Sequence, residues 1–437
     1  MHKDWTAGDR CYLALLLGGI FCFYLSWVVL IPFGQAPDEI LRYDVADFIM
    51  KYHSLPLAGD PRLYYGGYGQ TYAAIPYFSY LLAGLLGIAV HGLGIAMPGY
   101  MVARLISLAS GMVAVLFVFL IARAVFRSRA TWYFLPVFLA FTPQFTFIST
   151  YTNQDSFMVM LSAVLIYLWV RGMRTEWDMP TVIWTGLVCG LMLLTYINGY
   201  VCILATLLAV LLSHPHRRSW RFFRKMLICI GIMLLVSGWF FIRNAWHYHG
   251  DWLGMATLNR VAEQRAAEGF RPSQLARSVA SYRGFGGLLV DTDFLMTTFR
   301  SFWAVLGNMS VTMNAYYYLY LILLCLIAFV GCSAKLMDKA DAGWRTLAGC
   351  KLAIAVAALA VGGFAVHCYY SIAVEYQPQG RYMFPGMIAI FLMMAAGFER
   401  VFSGRARRVF YQVVAFTFVF LDIWIGYLAL LPLYQIH

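Results

Sequence analysis

The chain has 437 residues, of which 62% are hydrophobic and 12% are charged, and its mean hydropathy is +0.71. A soluble globular protein carries roughly twice that share of charged residues, so the composition excludes a soluble protein and indicates a polytopic membrane protein. The formal charge of +12 does not indicate nucleic-acid binding, because the Lys and Arg residues lie mainly in short loops between apolar runs.

The nine cysteines lie in or beside apolar runs, their number is odd, and no two of them form a CxxC pair. Cysteines in such places behave as small buried hydrophobic residues. The sequence therefore predicts neither a disulfide framework nor a metal cluster.

The chain starts with a short, weakly basic segment, 1–10, which is followed by the apolar run 11–32. That run is long enough to cross a bilayer, which takes about 20 apolar residues. A signal peptide has a shorter apolar core and small residues at a cleavage site. We therefore expect a first membrane span here and no cleavable signal.

The stretch 35–56 predicts an amphipathic helix on the membrane surface. Pro37 suits the first helical position, and Asp38 and Glu39 then fall in the first turn, where the helix dipole favours negative charge. Two carboxylates beside the membrane are a candidate base for chemistry on a lipid-borne substrate. The structural alternative is a favourable dipole contact with an i,i+4 pair between Asp38 and Arg42. The apolar positions recur at helical spacing and are Leu41, Val45, Phe48, Ile49 and Tyr52.

Five basic loops orient the chain in the membrane. By the positive-inside rule, these loops and the amino terminus are cytoplasmic. The loops contain most of the Lys and Arg residues and cover 123–129, 171–174, 217–225, 335–345 and 400–408.

With this orientation, the apolar runs predict eleven membrane spans. The run 72–97 is also apolar enough to cross, but a crossing there would place the basic loop 123–129 outside, so we predict a juxtamembrane or re-entrant helix. The spans are expected at about 11–32, 101–122, 131–149, 156–171, 181–197, 200–213, 226–242, 314–333, 347–369, 383–399 and 409–431.

The predicted fold is a single all-α transmembrane domain, 1–437, with two large outer loops at 33–100 and 243–312. The first of these loops holds the juxtamembrane helices and the candidate base. No internal repeat is visible, and the absence of a P-loop, a Rossmann fingerprint and a kinase signature argues against nucleotide-driven chemistry.

Further polar residues of interest fall on the predicted outer face. Asp155, with Asn153 shortly before it, either caps the next span or contacts substrate. Arg243 and Asn244 end a span, where a snorkelling arginine is common. His247 lies two residues before a second histidine, a spacing that is a weak signal for a metal.

The segment 379–382 combines Gln379, Gly380, Arg381 and Tyr382 in a turn rich in proline. Glycine allows a close approach of the backbone, and the arginine provides a planar fork for a phosphate. Arg260 and four other arginines of the second outer loop oppose the positive-inside trend. They indicate an anionic partner such as a lipid phosphate, or simply a solvated loop.

A carboxylate beside the bilayer and a set of arginines on the same face suit one reaction in particular. A sugar carried on a polyprenyl phosphate brings its own leaving group, whose negative charge arginines stabilise. A carboxylate can deprotonate the acceptor hydroxyl as this attacks C1 of the sugar from the opposite face. This chemistry requires no nucleotide.

The motifs together resemble those of the GT-C class of integral-membrane glycosyltransferases. The matching pieces lie in the expected order over most of the chain and are Pro37-Asp38-Glu39, Asn153-Gln154-Asp155, Arg243-Asn244 with His249-Gly250-Asp251, and Gln379-Gly380-Arg381-Tyr382. The resemblance implies a GT-C-like bundle, a polyprenyl-phosphate sugar donor and inversion at the anomeric carbon. It also implies Asp38 as the base, Glu39 as an assisting or positioning residue and Arg381 as a contact of the donor phosphate.

The size and single-domain form also look similar to serotype-converting glucosyltransferases of O-antigen. That resemblance implies glucose on undecaprenyl phosphate, a lipid-linked glycan acceptor and an active site facing the periplasm from the bacterial inner membrane. The chain departs from many relatives in having Arg42 where a histidine is common, and in lacking a soluble carboxyl-terminal domain.

The expected contacts are then as follows. Donor phosphate is assigned to Arg381, Arg243 and Arg260, and other substrate contacts are assigned to Arg42, Asp155, Asn153, Asn244, His247, Gln379 and Tyr382. No cofactor and no metal are predicted, although a divalent cation stays open. Two other functions stay open as well: an O-antigen polymerase or ligase, and a transporter of lipid-linked sugars. A transporter would carry charged positions near the middle of the bilayer, where this chain has few apart from Asp422.

Overall fold

The computed structural model describes residues 5–214, 219–274, 284–337 and 347–432. Residues 275–283 of the second predicted outer loop and 338–346 of one predicted basic loop lie outside the described residues. The described chain is almost entirely helical.

The residues described up to His247 form ten helices and a short 3-10 turn at Ile197–Gly199. The helices are α1 Ala7–Leu30, α2 Glu39–Tyr52, α3 Phe78–Gly92, α4 Gly99–Val125, α5 Arg129–Ala140, α6 Pro143–Ile148, α7 Asp155–Thr175, α8 Met179–Leu193, α9 Tyr200–Ser213 and α10 Trp220–His247.

The second half adds seven described helices, a two-stranded hairpin, a 3-10 segment and a π-helical segment. They are α11 Met255–Arg265, α12 Gly284–Val290, α13 Phe294–Trp303, β1 Val305–Leu306, β2 Val311–Thr312, α14 Ala315–Met337, α15 Leu347–Ala373, a 3-10 segment at Gly380–Gly386, α16 Met387–Val401, α17 Gly404–Trp424 and a π segment at Ile425–Leu430. The strands are antiparallel, with Val305 opposite Thr312.

Eight described helices are long and apolar enough to cross a membrane. They are Ala7–Leu30, Gly99–Val125, Asp155–Thr175, Trp220–His247, Ala315–Ser333, Gly349–Ala373, Gly380–Val401 and Gly404–Leu430. Three further apolar helices are shorter, at Phe78–Gly92, Met179–Leu193 and Ile197–Ser213. The predicted number of eleven spans and the predicted orientation therefore stay predictions.

The run 131–149, which was predicted as one span, forms two short helices instead. The break falls at Phe141 and Thr142, immediately before Pro143, which has no backbone N–H to offer to a continuous helix. The Thr142 hydroxyl donates to the Phe138 carbonyl over 2.7 Å and so occupies one of the carbonyl groups freed at the end of α5.

The predicted amphipathic helix of the first loop is α2. Val45, Phe48 and Ile49 are buried as the spacing predicted, whereas Tyr52 is 44% exposed. The buried side of α2 packs on α3, where Gly84 lets the two backbones come close, because a Cβ on this glycine would lie 2.8 Å from Ile49. This packing fixes the position of the acidic head of α2.

Candidate active site

Asp38 occupies the turn that starts α2. Its backbone is left-handed, with φ of 57°, and the helix begins at Glu39 rather than at Pro37. Asp and Asn tolerate this conformation better than most residues. The Asp38 side chain is 35% exposed, so its carboxylate stays within reach of a substrate.

One oxygen of Asp38 collects three donors. Its Oδ2 accepts from Arg381 Nη1 at 3.1 Å, from Arg42 Nη2 at 3.3 Å and from the Tyr72 hydroxyl at 3.2 Å. Burial disfavours the charged form, but the guanidinium groups of Arg381 and Arg42 outweigh it, so the pKa of Asp38 lies below its ordinary value. Asp38 is therefore an ionised carboxylate at neutral pH.

Arg381 reaches Asp38 because the backbone before it is pressed against α13. A Cβ on Gly380 would lie 2.2 Å from the Phe302 backbone nitrogen, so only glycine fits there. The Gly380 N–H donates to the Ser301 hydroxyl over 2.7 Å. The two contacts anchor the 3-10 segment and aim Arg381 at the head of α2.

Glu39 points away from this cluster into a buried ion pair with Arg104 of α4. Arg104 donates from Nε to Oε1 at 2.7 Å and from Nη2 to Oε2 at 2.8 Å, and neither side chain is exposed. The backbone N–H groups of Gly34 and Thr152 donate to the same carboxylate at 3.1 and 3.2 Å. With four donors on it, Glu39 holds the turn in place and offers no lone pair to a substrate.

Arg104 also ties the end of α1 to this turn. Its Nη1 donates to the carbonyl oxygens of Val28 and Ile31 at 2.7 and 2.6 Å. The turn carrying Asp38 is thereby connected to α1, to α4 and to the segment before α7.

Behind Asp38 lies a group of buried polar atoms without hydrogen-bond partners among the described residues. Arg42 Nη1 and Asp155 Oδ2 are 3.8 Å apart, and both side chains are 1% exposed. The atoms without a hydrogen-bond partner are Arg42 Nε and Nη1, both carboxylate oxygens of Asp155, Thr152 Oγ1 and Ser156 Oγ. Buried polar groups are nearly always hydrogen-bonded in proteins, so this cluster has unused capacity for the polar groups of a ligand.

Aromatic rings surround the same cluster. The guanidinium carbon of Arg42 lies 5.4 Å from the ring centre of Tyr72 and 6.0 Å from that of Tyr151. Arg381 stands 5.5 Å from the ring centre of Tyr382. Arginine over an aromatic face is an attractive arrangement, and the rings keep both guanidinium groups in place.

A small cleft opens beside Arg381. It is lined by Pro37, Gln144, Ile148, Tyr151, Ser301, Val305, Met309, Gln379 and Arg381. Its volume of about 10 Å³ is no more than one water molecule needs. The cleft in this form of the protein is therefore too small for a sugar phosphate.

Several residues predicted to bind substrate are engaged elsewhere. The Asn153 amide donates to the carbonyls of Ile148 and Tyr151 and accepts from the Ser156 N–H, which shapes the start of α7. The Asn244 amide donates to the Ala74 carbonyl at 2.9 Å. Their roles as substrate contacts stay predictions.

The structure describes no contact between Asp38 and the other two predicted phosphate-binding residues, Arg243 and Arg260. Arg243 donates to the carbonyls of Leu55 and Pro56 at 3.2 and 2.6 Å and so holds the first loop. Arg260 is exposed on α11, and His247 is exposed at the end of α10.

Gln379 and Tyr382 lie within the segment that carries Arg381. Gln379 lines the cleft and donates to the side chain of Gln377 at 2.9 Å. Tyr382 stacks on His367 and Tyr370, with ring centres 5.4 and 5.5 Å apart.

Arg104, Tyr72 and Tyr151 belong to the site but were missed in the sequence. Arg104 is a charged residue near the start of an otherwise uncharged predicted span, and an ionisable residue in that setting is itself a signal of function or of a buried partner. The two tyrosines gave no signal, because aromatic residues are common throughout the chain. Among the residues that the structure describes, no group of three or more His, Cys, Asp or Glu side chains could hold a metal ion.

Comparison with known protein sequences gives two findings. Residues 76–241 match the sequence profile of the family described as dolichyl-phosphate-mannose-protein mannosyltransferase, which is less than half of the chain. No curated protein sequence matches the chain.

Among solved structures, the chain is similar to ArnT from Cupriavidus metallidurans bound to undecaprenyl phosphate. That likeness has a TM-score of 0.52 at 13% identity and covers 96% of this chain and 73% of the other. The apo state of ArnT from the same organism gives a TM-score of 0.42 at 14% identity and covers 89% of this chain and 77% of the other.

The first of these structures establishes the fold. The predicted all-helical, multi-span fold of the GT-C type is confirmed, and the chain is a multi-pass membrane protein. The profile match and the fold together support a membrane glycosyltransferase of the GT-C class.

Proposed function

We propose that the protein is an inverting glycosyltransferase that takes a sugar from a polyprenyl phosphate. The observation that carries this proposal is the 3.1 Å contact between Asp38 and Arg381, which joins a carboxylate and a guanidinium 343 residues apart. The reaction needs a base and a phosphate-binding group near one reacting carbon, and this contact brings a candidate for each to the same place. The similar ArnT structure, which is bound to undecaprenyl phosphate, supports a donor of this kind.

Arg381 is proposed to receive the phosphate of the donor. Its guanidinium offers a planar fork to phosphate oxygens, and its Nε has no described hydrogen-bond partner. A bound phosphate competes with Asp38 for this guanidinium. When Arg381 turns to the phosphate, Asp38 loses one of its two cationic neighbours, so its pKa rises and it becomes a stronger base.

Asp38 is proposed to remove the proton from the acceptor hydroxyl. The hydroxyl oxygen forms a bond to C1 of the sugar while the bond from C1 to the phosphate oxygen breaks. The electron pair leaves with the phosphate, where Arg381 stabilises the negative charge, and the proton is left on Asp38. Attack opposite the leaving group inverts the anomeric carbon. Glu39 acts as a positioning residue for this step.

The cluster around Arg42 and Asp155 is proposed to hold the hydroxyl groups of the sugar. Within the described part of the chain, the Asp155 carboxylate accepts no hydrogen bond, and Nε and Nη1 of Arg42 donate none. These groups are complementary to hydroxyls, which both donate and accept. Together with the resemblance to serotype-converting glucosyltransferases, this favours glucose as the sugar and a lipid-linked glycan such as O-antigen as the acceptor. The proposed location is the bacterial inner membrane, with the site facing the periplasm.

The test is sugar transfer by the purified full chain in detergent, with polyprenyl-phosphate glucose and a lipid-linked O-antigen acceptor. Asp38→Asn should lower turnover by at least about 10²-fold, the lower range for a lost general base. Asparagine tolerates the left-handed turn, so this variant removes the charge and keeps the backbone. Asp47→Asn is the matched control, because Asp47 lies on the same helix and pairs with Lys51.

Two results would contradict the proposal. Near-normal turnover in Asp38→Asn would remove Asp38 from the role of base. A folded wild-type protein that transfers no sugar from any polyprenyl-phosphate donor would reject the proposed reaction altogether.

A further inference from the structure

Three aromatic rings are exposed, two on the loop after α2 and one on the segment after α11. Tyr64 is 51% exposed, Tyr68 is 49% exposed and Phe270 is 43% exposed. The rings of Tyr68 and Phe270 are in edge contact, with centres 4.8 Å apart. We call these three residues the aromatic patch.

The patch rests on a rigid joint between the loops. Gly69 has φ of +64° and lies so close to Ala266 that an added Cβ would be 2.3 Å from its backbone nitrogen. The Ala267 N–H donates to the Gly67 carbonyl over 2.9 Å. Arg265 stands 4.0 Å from the ring centre of Tyr65 and donates to the Gly59 carbonyl. The exposed rings are therefore held in place before any ligand arrives, which lowers the entropy lost on binding.

The same segment leads to the proposed base. The Tyr64 N–H donates to Asp44 on α2 over 2.9 Å, so the patch is fixed to the helix that begins beside Asp38. Four residues after Tyr68, the Tyr72 hydroxyl donates to Asp38 itself. The segment 64–72 therefore connects the exposed patch with the Asp38 carboxylate.

The residues near the aromatic patch indicate which kind of ligand it binds. Charged residues are close to the patch in the sequence: the ion pair of Asp60 with Arg62, whose side chain is 47% exposed, precedes Tyr64, and the exposed Glu268 precedes Phe270. Charged groups at this density oppose insertion into hydrocarbon. Exposed aromatic rings among polar groups suit a ligand that is polar at its edges and apolar on its faces. A pyranose ring has this character, because its hydroxyls point outward while its axial C–H groups form an apolar face.

We propose that the aromatic patch binds the saccharide chain of the acceptor and leads its terminal sugar to Asp38. This inference rests on the proposed function and adds a binding surface for the glycan acceptor: several of its sugars are held by stacking at Tyr64, Tyr68 and Phe270. A small or purely lipidic acceptor would leave these rings without a partner.

The first experiment measures saccharide binding without turnover. The full chain in detergent is applied to an array of free bacterial O-polysaccharides and hexose oligosaccharides, beside the triple variant Tyr64→Ala/Tyr68→Ala/Phe270→Ala. Each stacked ring contributes roughly two- to ten-fold in affinity, so the triple variant should bind at least about 8-fold more weakly. Trp246→Ala is the matched control, since Trp246 is an 82% exposed ring outside the patch and its loss should change nothing.

The second experiment distinguishes a saccharide from a membrane surface. Hydroxyl-radical footprinting of the protein in phosphatidylethanolamine and phosphatidylglycerol vesicles reports the accessibility of each ring. The proposal expects Tyr64, Tyr68 and Phe270 to be labelled in vesicles and protected when the bound O-polysaccharide is added. Protection by the vesicles alone would assign the rings to the bilayer and overturn the proposal.

Failure of this inference differs from failure of the proposed function. If wild type binds no saccharide, or the triple variant binds as well as wild type, the patch has no such role while the transfer assay with Asp38→Asn is unaffected. If Asp38→Asn transfers sugar normally but saccharide binding still depends on the three rings, the patch stands and the assigned base is wrong.

Discussion

The buried pair of Glu39 and Arg104 gives the most demanding test of how the site is held together. We consider Glu39→Gln, Arg104→Met and the double variant. Removing one partner leaves the other charge buried without its counterion, which costs about 3–5 kcal/mol. In Glu39→Gln, Arg104 keeps its carbonyl acceptors at Val28 and Ile31. In Arg104→Met, Glu39 keeps its two backbone donors. Each single variant should therefore lose about 3 kcal/mol of the free energy of unfolding, the lower end of that range.

The double variant should be far less unstable than the sum of the two. It contains no buried charge at this place, and the glutamine oxygen can still accept from one of the two backbone N–H groups that Glu39 now binds. The remaining N–H is left without a partner, which costs about 1–3 kcal/mol. We expect a coupling energy of at least about 2 kcal/mol between Glu39 and Arg104.

Unfolding of the four purified proteins by titration with SDS measures these free energies, and sugar transfer measures the site. The single variants that remain folded should lose turnover while the Michaelis constant for the donor changes little, because the pair positions Asp38 and does not touch the phosphate. The free energy of unfolding could fall by less than about 1 kcal/mol in both single variants, or the double variant could lose the sum of the two single losses. Either result would refute the assignment of Glu39 and Arg104 as a coupled buried pair.

Three further predictions concern Arg381, Gly380 and Asp44. Arg381→Lys should restore only part of the donor affinity lost in Arg381→Ala, as read from the Michaelis constant, because the charge returns without the planar fork. Gly380→Ala should destabilise the fold by about 1–3 kcal/mol and lower turnover, since its Cβ would meet the Phe302 backbone at 2.2 Å; Gly386→Ala, whose Cβ would have its closest contact at 3.4 Å, is the milder control. Burial raises the pKa of the Asp44 carboxyl to about 6. Between about pH 4 and 6 the folded protein therefore keeps a proton that the unfolded chain has released. The free energy of unfolding falls as the pH rises through this range. Asp44→Asn should remove that fall, about 1 kcal/mol after solvent screening, and an unchanged pH profile of unfolding would contradict the assignment.

Part of the candidate site was predicted from the sequence. The helical spacing of Val45, Phe48 and Ile49 predicted the buried face of α2, because hydrophobic periodicity is a local property of the chain. Asp38 and Arg381 were also predicted, since a carboxylate beside a membrane and a glycine-arginine pair each suggest chemistry on their own.

The pairing of those residues could not be predicted in the same way. Nothing local says that the Asp38 carboxylate meets Arg381, because that contact depends on the packing of α13 against the 3-10 segment. Glu39 looked equivalent to Asp38 in the sequence, and only the position of Arg104 separates a saturated carboxylate from an available one. The break at Thr142 coincides with Pro143, a local signal that was overlooked because the stretches on both sides are strongly apolar.

The order in which the ion pairs can form during synthesis follows from their spacing. Glu39 and Arg104 are 65 residues apart and Asp38 and Arg381 are 343 apart. At about 5–20 residues per second, the ribosome makes Arg104 roughly 3 to 13 s after Glu39, and Arg381 roughly 17 to 70 s after Asp38. The nascent chain thus contains both members of the Glu39–Arg104 pair early, whereas the arginine proposed to bind phosphate is added in the last stage of translation. A chain stopped before residue 381 would contain the pair that positions Asp38 and would lack the contact between Asp38 and Arg381.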